Sequence, residues 1–132
     1  MVKVHEQEKT FYLAADGWIP IAGHEITIGK HRFCATPNGD AFQTVIIISE
    51  VTSGAKLTAI KLDFFDLIVM DDKSKYMEFL RLKARKLADL LSNRKDLDDQ
   101  IEKMKLLAIS KFGPKPPTEI IDFEEELDRM AQ

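Results

Sequence analysis

Residues whose types and spacing could do chemistry lie in two places. In the first half, His24, His31 and Cys34, with His5 or Asp40 beside them, are the set that could ligate a metal or activate a nucleophile. A zinc site needs about four converging thiolate or imidazole ligands, or three and a water. One cysteine and three histidines in the whole chain make a poor supply. On a regular strand His31 and Cys34 would also point to opposite faces. Cys34 as a nucleophile requires a base within reach and an electropositive pocket to lower its pKa. Lys30, His31 and Arg32 are near it in sequence, but no pattern makes them converge. The expectation is a small residue packed in or beside a sheet, with turn and surface histidines around it.

The second place is the acidic run Asp63, Asp66, Asp71 and Asp72. Hydrolysis by paired carboxylates needs two acids from different elements with separated pKa values, and a divalent cation needs converging oxygens. Turn and cap chemistry accounts for these four more simply. The six glycines, Gly17, Gly23, Gly29, Gly39, Gly54 and Gly113, stand one to a turn or break. None belongs to G-x-x-x-x-G-K or G-x-G-x-x-G, which argues against ATP- or NAD-dependent chemistry. The reading is therefore not an enzyme, with no catalytic, cofactor or metal residue expected.

Charge distribution points instead to partners. The overall charge of -3 is too small to argue for nucleic acid or membrane. By segment it is -4 for 1–72, +6 for 73–95 and -5 for 96–132. The basic stretch holds Lys75, Arg81, Lys83, Arg85 and Lys86, the best contacts for nucleic acid if that is the partner. At 100° per residue, however, Lys75, Lys83 and Lys86 fall on one side and Arg81 and Arg85 on another. Basic and acidic segments could also pair, within one chain or between two. Such pairs contribute only ~0.2–1 kcal/mol each and would set orientation more than stability.

The elements that must position these residues begin with a β-rich half. After a polar lead of about nine residues, 10–15 and 18–21 read as two strands around the turn Asp16-Gly17, with Pro20 at an edge. Ala22-Gly23 breaks the pattern. A third strand is expected over 25–35 with Gly29 as a bulge. Pro37-Asn38-Gly39-Asp40 carries the strongest hairpin signal. Val45-Ile46-Ile47-Ile48, within 42–51, suits a central strand covered on both faces, and 57–62 returns beside it. Residues 63–70 are expected in the core, as a sixth strand or a helical turn.

From Asp71, leucines recur at helical spacing. Met77, Leu80, Ala84, Leu87, Ala88 and Leu91 form one stripe; Leu97, Ile101, Met104, Ala108 and Phe112 form another. The spacing fails between Leu91 and Leu97, and Asp96 resembles a new helix start. Two helices with a short turn are favoured over one long helix with a register slip. Gly113-Pro114 stops the second, and Pro116-Pro117 stiffens the exit. In the acidic tail, Ile120, Phe123, Leu127 and Met130 share one helical face, an anchor set for a groove on another protein, another copy or the chain itself.

The fold expected is α+β: an antiparallel meander of about five strands, either curled into a small barrel or covered on one face by helix, then a helical hairpin or long helix and a short acidic terminal helix. Its divisions are 1–70 as β domain, 71–112 as helical arm and 113–132 as Pro-rich break and acidic tail. A lone cysteine suits a reducing compartment, no apolar run approaches ~20 residues, and the amino terminus lacks a signal core; a cytoplasmic protein off the membrane is expected.

The function expected is a non-enzymatic protein-interaction module: an adaptor, or a stoichiometric inhibitor or regulator of another protein. It would self-associate, as a dimer by preference, with Leu80, Leu87, Leu91, Leu97, Ile101 and Met104 as the apolar seam. Phe123, Leu127 and Met130, with Ile120, would anchor a partner. Nucleic-acid binding by the basic helix 73–95 is the alternative.

Overall fold

The computed structural model describes residues 2–39, 44–70, 72–117 and 119–120. Five strands run in sequence as β1 (Val2–Ala14), β2 (Trp18–Ile28), β3 (His31–Gly39), β4 (Thr44–Glu50) and β5 (Lys56–Leu62). Each pairs antiparallel with the next, and the two-residue strand β6 (Glu119–Ile120) adds to the outer edge of β1, giving the order β5-β4-β3-β2-β1-β6. The α+β meander is as expected, but the sheet stays open and does not close into a barrel.

The strand boundaries differ from those read in the sequence. The polar lead belongs to β1, because Val2, Lys3 and Val4 pair with Ile28, Thr27 and Ile26 across a register shift before Glu8. Ala22-Gly23 does not break β2, and the expected strand 25–35 is two strands turning at Gly29-Lys30. Gly29 takes φ 60, which suits that tight reversal. The register Gly39↔Thr44 puts the β3–β4 connection at 40–43, outside the described residues, with Asn38 still on the ladder.

The sheet uses both faces. On one, Val4, Ile26, Phe33, Ala35, Ile46 and Ile48 form the main core with Met77, Leu80 and Ala84 of α2 (Lys73–Ser92). β2 pairs with β3 only from His24 onward, so the outer half of the β1–β2 hairpin is free to fold across the other face. There Phe11, Leu13 and Ile21 cover Cys34 and Val51, and Ala14 N–H donates to the Gly54 carbonyl at 2.9 Å. Along β4, Ile46 and Ile48 are buried in the main core while Val45 and Ile47, on the opposite face, are half-buried.

The segment after the sheet is a short helix, α1 (Phe64–Val69), held by a capping box between Asp63 and Asp66. Its placement corrects the core expectation, since Phe65 is 75% exposed and Leu67 and Ile68 are also open. Asp72 caps α2, accepting from Lys75 N–H at 2.9 Å. Two helices then form, as the lost spacing predicts: α2 ends at Ser92 and α3 spans Leu97–Phe112. Lys30 and His31 hold Asp98 at the start of α3, both at 2.6 Å. At its end Phe112 packs edge-on to Trp18, whose Nε1 donates to the Gly113 carbonyl at 3.0 Å. No helix among the described residues is long and apolar enough to cross a membrane.

Glu119–Ile120 is strand rather than the beginning of a terminal helix. The expected tail anchors Phe123, Leu127 and Met130, and the Ile120 side chain, lie outside what the structure describes.

Candidate interaction surface

The residues with chemical potential do not converge. His31 sits against Phe33 on the α2 face and is bound to Asp98, while Cys34 belongs to the core on the opposite face. Burial pushes the Cys34 thiol up to about 12, so it is neutral and shielded. His24 is buried with Nδ1 at 3.0 Å from the His5 carbonyl. Asp63, Asp66 and Asp72 are occupied as helix caps. Among the described residues no three His, Cys, Asp or Glu side chains gather as a metal site requires.

One polar cluster escaped the sequence reading. Glu25 is buried, and its carboxylate accepts from Arg32 Nη2 at 2.7 Å, Arg32 Nε at 3.2 Å, and Lys9 Nζ and Thr27 Oγ1 at 3.3 Å. His5 Nε2 lies 3.4 Å away. Burial alone would raise this carboxyl, but the Arg32 hydrogen bond and charge, with those of Lys9, outweigh it and hold the group at about 2. Lys9, Glu25 and Arg32 come from three successive strands and meet only through the register. Both oxygens are saturated by the protein's own donors, which makes the cluster a charge-compensated joint between β1, β2 and β3.

Surfaces open to a partner lie on the helices. Leu80, Leu91 and Leu97, expected in a partner-facing seam, are only 0%, 7% and 8% exposed and belong to the main core, because the sheet covers the α2 stripe. Leu87 and Ile101 are half-buried against the same core, and of the six only Met104 is open. The apolar residues that do face outward on α3 are Met104, Leu106, Leu107 and Ile109. Ala108, between Leu107 and Ile109, is buried, so α3 is apolar on flanks that its own chain leaves bare.

A groove of about 190 Å³ opens between α2 and β5, with Thr58 and Ile60 on one wall, Ala84, Leu87 and Leu90 on the other and Ile26 and Ile48 at the floor. Lys83 and Lys86 stand at its rim, Lys83 Nζ lying 5.3 Å from the Phe79 ring centre. Among the described residues the outer edge of β5 carries no strand.

The basic residues of α2 divide as their angular spacing predicts. Arg81 and Arg85 flank Val2–Val4 on the β1 side, with Arg81 paired to Glu6 at 3.1 Å, while Lys83 and Lys86 line the β5 side. Lys75 sits in the first turn of the helix. These five cations do not make one continuous face. Compared with protein-family models, with curated proteins and with solved structures, the chain shows no match in any of the three.

Proposed function

We propose that this chain is a non-enzymatic protein-interaction module, an adaptor or stoichiometric regulator that binds another protein through its helices and associates with itself. One observation carries the reading. Of the ten exposed large apolar side chains among the described residues, nine lie on α1, α2 and α3, and four of these fall between Met104 and Ile109. Scattered exposed leucines are normal on a soluble protein, whereas four within six residues of one helix mark a surface that gains by being covered. Neither of the sheet's two cores uses Met104, Leu106, Leu107 or Ile109.

The test is capture by the full chain, compared with a Leu106→Asp/Ile109→Asp variant. Both positions are exposed, so the variant is expected to keep its circular dichroism and melting temperature while losing a defined stoichiometric partner or its own oligomer. A chain that sediments as a monomer and captures nothing the variant loses would refute the reading. Nucleic-acid binding, the alternative, is supported by the positive charge of α2 but weakened by its division between two sides. Retention of labelled RNA or DNA at ~50 mM salt, abolished by charge reversal at Lys83 and Lys86, would favour it instead.

A further inference from the structure

We infer that the groove between α2 and β5 receives the acidic C-terminal segment, residues 122–130, of a second copy of this chain. The inference uses a different surface from the α3 flank and rests on the interaction reading only in taking the protein to self-associate. Two kinds of observation support it: chemistry and reach.

The groove is an apolar slot with Leu87, Leu90 and Ile60 accessible along it and two lysines at the rim. Its occupant should be a short segment with a few apolar anchors and negative charge on either side. Residues 122–130 have that composition, since Phe123, Leu127 and Met130 recur at helical spacing and Asp122, Glu124, Glu125, Glu126 and Asp128 surround them. Helix-in-groove recognition reads anchors at this spacing.

Reach decides between the chain's own tail and another's. Ile120 pairs with Lys9 on the outer edge of β1, at the opposite end of the strand order from β5. The groove's floor reaches back to Ile26 on β2, but its opening lies beside β5, on the far side of α2 from that edge. α2 packs over β1 and β2 and stands between that edge and the groove. Phe123 follows Ile120 by three residues and can extend at most ~11 Å from it. A tail leaving β6 cannot carry Phe123 around α2, a helix about 10 Å across with its side chains, into the groove of its own chain, whereas the tail of a second copy approaches from outside. By two-fold exchange each copy would fill the other's groove, a self-complementary arrangement that closes at a dimer.

The experiment is disulfide trapping with full-length chains. Leu90→Cys, at the exposed groove wall, is mixed with a mass-tagged chain carrying Leu127→Cys, and oxidised at low concentration; the native Cys34 is buried and does not compete. A cross-linked heterodimer is expected, formed about tenfold more than with Leu82→Cys on the outer side of α2, and suppressed to that background by Lys83→Glu/Lys86→Glu. No heterodimer, equal trapping at Leu82→Cys, or cross-linking only when both cysteines share one chain would each overturn the inference. Absence of trapping, with partner capture still abolished by Leu106→Asp/Ile109→Asp, would sink the groove alone. The reverse pattern would sink the α3 surface alone.

Discussion

Replacing Glu25 by glutamine leaves the shape of the joint between β1, β2 and β3 and removes its charge. The carboxyl is held at about 2 instead of the ordinary 4.5, because Arg32 and Lys9 outweigh the burial that would raise it. Expressed as linkage, that difference corresponds to about 3 kcal/mol in favour of the ionised folded state, at about 1.4 kcal/mol per pH unit. Arg32 keeps 44% of its side chain in solvent and is screened there, so about 2 kcal/mol is the realistic share.

A carboxyl whose folded value is depressed stabilises fully above its unfolded value and ceases to do so as pH falls through the folded value. The contribution should therefore be whole at pH 7, about half gone near pH 3.2 and nearly absent at pH 2. Urea denaturation of the wild type and Glu25→Gln, followed by circular dichroism, should give a stability difference of about 2 kcal/mol at pH 7 that closes over this window. The argument would be refuted by a difference that stays constant between pH 7 and 2, or by a variant as stable as wild type at pH 7.

Two further substitutions or probes test other parts of the fold. A Cβ at Gly23 would lie 2.5 Å from the Ala35 carbonyl oxygen and 2.6 Å from Thr36 Cγ2, where β2 leaves β3. Gly23→Ala should thus cost about 2–4 kcal/mol in chemical denaturation, and a loss under ~0.5 kcal/mol would show that the hairpin can shift without penalty. The Cys34 thiol, pushed up to about 12 by burial, should resist a disulfide reagent at pH 8 and react only as denaturant unfolds the chain. Rapid labelling of the native protein would contradict its place under the β1–β2 hairpin.

Much of the secondary structure was legible because it is written locally. Asp16-Gly17 marks the tip of the first hairpin, Asp72 caps α2, and the lost leucine spacing after Leu91 separates α2 from α3. Residues 2–9 were not legible, since nothing in their polar composition says strand; their strand character comes from a partner, β2, which supplies the ladder. Gly29 was visible as a special backbone position, but whether it makes a bulge or a turn depends on where His31 to Ala35 pair. The apolar run at Phe65, Leu67 and Ile68 reads as core, and only its place outside the sheet shows that it is surface.

The candidate surfaces divide in the same way. Periodicity alone identified the apolar stripe of α2 and the opposite sides of its basic residues, because both follow from 3.6 residues per turn. It could not say that the stripe is spent on the sheet, since burial is a property of what lies opposite. Sequence by itself determined the β-rich first half and the two long helices, the charge segregation and the scarcity of ligands for chemistry. Tertiary structure alone decided that Leu80, Leu91 and Leu97 are core, that Met104, Leu106, Leu107 and Ile109 stay bare, and that Glu25 meets Lys9 and Arg32. Each of these depends on register and packing between residues distant in the chain, which local spacing does not encode.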